Sequence, residues 1–370
     1  MTADANLLSS LSALSAEDRQ RLAAMLARSN RAPVDIGICF FSSYGTQDAC
    51  DQYSAILEIA EAGDRAGLSS IWIPERHFHP FGALYPNPSL LAAAIATRTS
   101  RIGIRAGSVV LPLHHPARVA EEWAMVDALS NGRVGVSIGT GWHIGDFVYA
   151  PQDYKNRATV TERNIAILRA LWRGEGVYFP GVDGKPRIVH SFPRPKQAEL
   201  PLWLTVSGSL ESCVRAGRLG MNLFCSLIGA TKDELRERIA AYRQARTDAG
   251  HAGKGWVTLM LHAYIDESSE RVRDVAKGPL THYFQRFLEQ QMDRPDVVDD
   301  HSKIDAQVEF AVERYLRGDS LLGTPSQCLQ QIEEVASCGV NEIAALVDFG
   351  APQNLVLKSL RRLASLNQER

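Results

Sequence analysis

From Val34 onward the chain alternates short apolar runs with stretches of helical period, and this alternation narrows the fold more than any other feature. VDIGICFF, SSIWIPE, RIGIRAGSVVLP, GRVGVSIG, PLWLTVSG, MNLFCSL, WVTLMLHAYI and NEIAALVDF read as strands. Between them Asp48–Ala66, PSLLAAAIATRT, ARVAEEWAMVDALS, Thr159–Trp172 and Lys232–Ala249 carry helical period. Strands separated by helices pair in parallel, because a parallel pair needs a crossover connection. About eight such units in 370 residues predict an α/β chain closed into a (β/α)8 TIM barrel rather than an open sheet.

Three segments fall outside the alternation. Residues 1–32 are expected to be a helical extension ahead of a barrel domain at 33–370. In it Ser15-Ala-Glu-Asp18 resembles a capping box and Leu22, Met25 and Leu26 share a face. Those leucines either dock on the main domain or form a linker for a partner. Gly174–Leu200 is rich in Gly and Pro and is expected to hold a hairpin, with VYF and RIVH flanking the turn GVDGKP. Gln290–Asp305 is polar and acidic, and is expected to be a lid or mobile loop over a ligand.

A net charge of −2 argues against a nucleic-acid or anionic-membrane surface, so the ligand should be a small molecule. No apolar run reaches membrane-span length and the first residues lack a signal-peptide pattern, which places the chain in the cytoplasm as an expectation. The six cysteines include no CxxC pair and read as buried thiols rather than a disulfide framework. His77 and His79, and the pair His114 and His115, lack metal-ligand spacing, and no metal is expected.

Chemistry concentrates where strands end. PERHF follows SSIWI and places Glu75, Arg76 and His77 at a C-terminal strand edge, the edge that faces substrate in such a barrel. A histidine there can act as acid or base near neutral pH, although the triplet could equally be an ion-paired rim. In LTVSGSLES, Ser207, Gly208 and Ser209 offer hydroxyls and amides at a helix start, suited to a phosphate unless Ser209 only caps the helix. IGTGWH supplies Thr140, Gly141, Trp142 and His143, where glycine admits a flat ligand close to the backbone. Arg157 is a phosphate or ribityl candidate against a plain surface arginine. Phe40, Phe41 and Ser42 end the first strand and Phe78 follows PERH, so all four are candidates for a substrate pocket or for packing.

PERHF, AGSVVLPLHHPARVAEEWAMVDALSNGR, GTGWH, WLTVSGS and GTPSQCLQQIEE together resemble bacterial luciferase-like flavin monooxygenases, from Val34 to about Leu363. The subgroup most similar accompanies peptide and polyketide assembly lines, and SAEDRQRLAAML is similar to their linkers. The resemblance implies reduced FMN from a separate flavin reductase, molecular oxygen as co-substrate, and a monooxygenase of specialised metabolism acting on a carrier-tethered acyl or aminoacyl chain. It implies a homodimer, a non-prolyl cis peptide at Gly107–Ser108 beneath the flavin, and a phosphate turn at Ser207, Gly208 and Ser209. Thr140 stands where luciferase has arginine, and Arg76 where it has its catalytic histidine, so His77 becomes the candidate acid or base beside Arg76 and Glu75. Deazaflavin hydride transfer on the same barrel, or non-catalytic flavin binding, are the alternatives.

Overall fold

The computed structural model describes Ser15, Asp18 and residues 34–41, 48–292 and 304–368. Its strands are β1 (Asp35–Cys39), β2 (Ser70–Ile73), β3 (Gly103–Val110), β4 (Val134–Gly139), β5 (Val177–Pro180), β6 (Pro186–Val189), β7 (Leu202–Thr205), β8 (Asn222–Ser226), β9 (Val257–Ile265), β10 (Leu321–Gly323) and β11 (Glu342–Leu346). The parallel order β11-β1-β2-β3-β4-β7-β8 is closed by β9, which pairs with both β8 and β11. The expected (β/α)8 barrel is therefore the fold. β5 and β6 form the antiparallel hairpin anticipated between VYF and RIVH, with Tyr178 opposite Ile188.

The helices are α1 (Ala49–Ala66), α2 (Pro88–Arg98), α3 (Pro116–Ser130), α4 (Arg157–Arg173), α5 (Leu210–Arg218), α6 (Lys232–Asp248), α7 (Ser269–Met292), α8 (Ile304–Arg317), α9 (Pro325–Cys338) and α10 (Gln353–Gln368). Local chemistry fixes their ends. Asp48 accepts the Cys50 amide at 3.1 Å to open α1, and α2 and α3 begin with proline, whose missing N–H is unneeded in a first turn. Capping boxes of Thr231 with Glu234 and Thr324 with Gln327 open α6 and α9. The short strand β10 and helix α8 were not anticipated.

Every residue of β9 is buried, yet the two faces differ. Val257, Leu259, Leu261 and Ala263 pack with the helical layer, whereas Met260 and Tyr264 point into the interior cluster. That interior is stoppered by aromatics: Trp72 lies edge-on to Trp203 with ring centres 5.3 Å apart and stacks on Phe224 at 4.6 Å. Gly107 sits directly on this stopper, since a Cβ there would come within 3.2 Å of the Trp72 ring. At the floor, Glu342 accepts hydrogen bonds from Ser70 Oγ (2.5 Å), Thr258 Oγ1 (2.9 Å) and Ser69 Oγ (3.0 Å). Gly37 is required there, because a Cβ would fall 2.1 Å from Ser70 Oγ.

Of the N-terminal segment, Asp18 N–H donates to Ser15 Oγ at 3.0 Å, the bond a helix start calls for; the remainder of residues 1–32 lies outside the described residues, as do Ser42 and residues 293–303. Of the expected lid, Gln290 belongs to α7 and Asp305 to α8. Among the described residues no helix is long and apolar enough to cross a membrane, and the six cysteines are free thiols, all but Cys50 buried.

Candidate functional site

A cavity of about 340 Å³ opens above the aromatic stopper at the C-terminal ends of the strands. Its floor includes Gly107 and Ser108, joined by a cis peptide bond. One wall is the β4 turn Thr140-Gly141-Trp142, and another is the β7 turn ending at Ser207. Tyr283 and Phe287 of α7 cover it, with Met260 of β9 and Phe41 after β1 completing an apolar side. Phe41 is held by Asp348 after β11, which accepts its amide at 3.0 Å and the Tyr85 hydroxyl at 2.8 Å.

The sequence candidates divide by position. Phe41, Glu75, Arg76, Gly107, Ser108, Thr140, Gly141 and Ser207 border the cavity. Arg76 is buried, its guanidinium 4.8, 5.2 and 5.3 Å from the ring centres of Phe41, Phe81 and Trp142, with Nη2 donating to Gln290 Oε1. His77 stands one layer back, its ring against Tyr149 and Phe78. Phe40 is wholly buried core, and Phe78 is 63% exposed at a positive φ of 54°. His143 pairs through Nδ1 with Asp146 Oδ1 at 3.2 Å, and it is Asp146 that borders the cavity. Arg157 braces the wall from behind, donating to Gly141 O at 3.1 Å and Tyr154 O at 2.9 Å.

Behind Arg76 lies a buried network. Glu75 Oε1 is 2.8 Å from His77 Nε2 and 2.5 Å from His114 Nε2, and Oε2 accepts the Val110 amide at 2.7 Å. Burial alone would raise the Glu75 carboxyl; the hydrogen bonds and charge of His114, the bond to His77 and the Val110 amide outweigh it and hold it below the ordinary range. Burial alone would lower His114, yet its bond to Glu75 and the charges of Glu75 and Glu122 hold it above its ordinary value. Composition would allow a metal ion among these three side chains. Their separations are those of hydrogen bonds, however, whereas ligands about 2.1 Å from a tetrahedral ion stand roughly 3.4 Å apart.

At the β7 turn, Ser209 caps α5 by accepting the Ser212 amide at 3.4 Å, while Ser207 borders the cavity. Gly208 has φ of 110°, and Arg238 of α6 reaches the turn, its Nη1 being 3.5 Å from where a Gly208 Cβ would stand. A hydroxyl, a helix N-terminus and a guanidinium thus meet at one turn. This donor set suits a phosphate, and the glycine-floored, aromatic-walled cavity beside it suits a flat ring system, so the residues fit a flavin mononucleotide.

Arg238, Asp348 and Tyr283 escaped the sequence reading because α6, α7 and the end of β11 reach the mouth only through barrel closure. His114 was weighed only as a metal ligand. Its place between the strand end VVLPL and the proline opening α3 was the available signal.

The family model for luciferase-like monooxygenases matches residues 19–342. The chain is 23% identical to the oxygenase component of the flavin-dependent trigonelline monooxygenase of Acinetobacter baylyi, over 84% of this chain and 88% of that protein. It is 25% identical to the 4-hydroxyprotoasukamycin monooxygenase of Streptomyces nodosus subsp. asukaensis, over 75% and 76%. In fold it is similar to the monooxygenase RslO1 of Streptomyces bottropensis (TM-score 0.74, 21% identity, 90% of this chain and 98% of that one). It is also similar to the oxygenating constituent of the Pseudomonas putida 3,6-diketocamphane monooxygenase, solved with FMN (0.72, 19%, 90% and 97%). An F420-dependent secondary alcohol dehydrogenase shares the fold (0.69, 20%, 89% and 97%).

Proposed function

The chain belongs to the luciferase-like monooxygenase family, and from that premise we propose that it is the oxygenase component of a two-component system that uses reduced FMN and molecular oxygen. The observation that carries the reading is the cavity itself, a ring-sized space floored by Gly107 and Ser108 beside the Ser207–Ser209 turn and Arg238. When bound, reduced FMN supplies the electrons that activate oxygen. The chain's residues would do the rest: Ser207, Ser209 and Arg238 would hold the phosphate, Gly107, Thr140 and Gly141 would border the ring system, and Arg76 would present positive charge to it. Tyr283, Phe287 and Trp142 exclude water from it. Glu75 borders that space directly, and His77 stands behind it as the candidate acid or base that acts through the Glu75 carboxylate.

Likeness to the 4-hydroxyprotoasukamycin enzyme supports a place in specialised metabolism, with a carrier-tethered acyl or aminoacyl substrate as the specific form. The N-terminal segment 1–32 is then a linker or docking element toward that assembly, and a flavin reductase is the second partner. Exposed Leu90 of α2 and Met125 and Leu129 of α3 support pairing of two copies. Deazaflavin use is the second reading, supported by the shared fold of the F420-dependent dehydrogenase.

The test compares FMN, riboflavin and deazaflavin binding by fluorescence quenching, with oxygen uptake by the reduced complexes. Arg238→Met is expected to weaken FMN binding by about tenfold, the worth of one charge-assisted bond, and to leave riboflavin unaffected. Equal losses for both would remove the phosphate role. Preferential deazaflavin binding without oxygen uptake would replace the monooxygenase reading by the hydride-transfer one.

A further inference from the structure

Resting on the flavin reading above, we infer that His114 is a positioning residue of the site: it carries the positive charge that offsets buried Glu75, leaving His77 a neutral imidazole whose Nδ1 is the basic atom. The hydrogens follow from geometry. Glu75 Oε1 contacts Nε2 of both rings, at 2.8 and 2.5 Å, and Oε2 accepts the Val110 amide. An ionised carboxylate only accepts, so each ring carries a hydrogen on Nε2 and is either a neutral Nε2–H tautomer or an imidazolium. The Glu75 side chain is 0% exposed, and a charge so buried calls for a compensating one in contact.

The surroundings choose between the two rings. His114 is 33% exposed at its side chain and also faces Glu122 of α3, which Arg118 partners at 2.7 Å. His77 is 4% exposed and its ring neighbours are Phe78 and Tyr149, aromatic faces that reward a cation far less than a carboxylate does. The second carboxylate and the open water therefore favour the proton on His114. The consequence reaches the cavity through Glu75, whose carboxylate joins the strand end bearing Arg76 to Val110, two segments of the cavity wall.

The primary test is nitrogen-15 NMR of the imidazoles in the flavin-free full-length protein near pH 7. We expect His114 as imidazolium and His77 as the neutral Nε2–H tautomer. In His114→Gln, whose amide can replace the Nε2–H donor but cannot charge, the positive charge is expected on His77. Finding the charge on His77 in the parent protein, both rings neutral, or an Nδ1–H tautomer of His77 would overturn the assignment. One equivalent of zinc shifting both rings and raising the melting temperature would overturn it in favour of a metal site.

The second readout is FMN affinity. His114→Phe should weaken it by about tenfold through the lost charge-assisted bond, and His114→Gln should restore most of it. Unchanged affinity in His114→Phe, with melting confirming a folded protein, would remove the positioning role. A parent protein that binds no flavin would instead sink the flavin reading while leaving the NMR assignment of charge intact.

Discussion

Glu75 and Glu342 are buried carboxylates at opposite ends of the same barrel, and their partners differ in kind. Glu342 at the floor accepts from the hydroxyls of Ser69, Ser70 and Thr258 and from the Trp256 indole. These donors neither gain nor lose a proton between acid and alkaline pH. Glu75 at the mouth accepts from two imidazoles and one amide. The same side chain therefore serves as a fixed structural knot at one end and as part of a proton-bearing unit at the other. A barrel can place such a unit at the mouth because the floor and the layered core already carry stability.

The largest expected effect tests the floor. Arg105 is half-buried there; desolvation pulls its guanidinium below its ordinary value and the charge of Glu342 opposes that pull. Glu342→Leu would leave three buried hydroxyls without their acceptor and remove the carboxylate charge near Arg105, and should cost about 3 kcal/mol in urea unfolding at neutral pH. Flavin affinity of the folded fraction should stay unchanged. A matching loss of affinity would break the separation of the two ends.

A second test concerns His262, which lies at the mouth level of β9 against Tyr283 but bears no charge-matching partner. It is wholly buried among Tyr283, Phe284, Tyr315 and Phe349, both ring nitrogens lack hydrogen-bond partners, and burial pushes it down to about 3. The unfolded chain takes up a proton below the ordinary 6.5 while the folded chain does not, so stability falls as the pH drops from 6.5 toward 3. At pH 5 this amounts to about 2 kcal/mol, and His262→Leu should abolish that acid-side loss relative to its own stability at pH 8. An unchanged acid limb in the variant would mean that His262 is protonated in the fold.

How much of this was legible beforehand varies with what each residue touches. The eight barrel strands and most helices were readable because apolar runs and helical periods are local signals. β10 was not, since LLG is too short to carry a period, and α8 was obscured by the polar stretch before it. Glu75, Arg76, Gly141 and Ser207 were found at strand ends, where the barrel's geometry makes position informative, whereas Gly107 came from the family resemblance. The layer assignment of His77 was not readable, because PERHF leaves its strand and the direction of each side chain depends on the turn. Met260 was hidden for a different reason: WVTLMLHAYI is buried on both faces, so no alternation separates the residues facing the cavity from those facing helices.

The smallest effect sharpens the contrast between the ends. His114 has its folded-state pKa raised above the ordinary 6.5, so its stabilising bond to Glu75 is fully present below 6.5 and is lost as pH rises through the raised value. Glu75 has its pKa lowered below the ordinary 4.5, so its contribution is present above 4.5 and is lost as pH falls through the lowered value. The mouth network therefore stabilises most between these two ordinary values. The stability gap between the parent protein and His114→Gln should be about 1 kcal/mol at pH 5.5, a modest figure because His114 is partly solvated, and should narrow as pH rises through the raised His114 value. Urea unfolding of both proteins across this range reads it directly. A gap that widens with pH would place the charge elsewhere than on His114, and a constant gap would make the mouth a hydroxyl-like knot of the same kind as the floor.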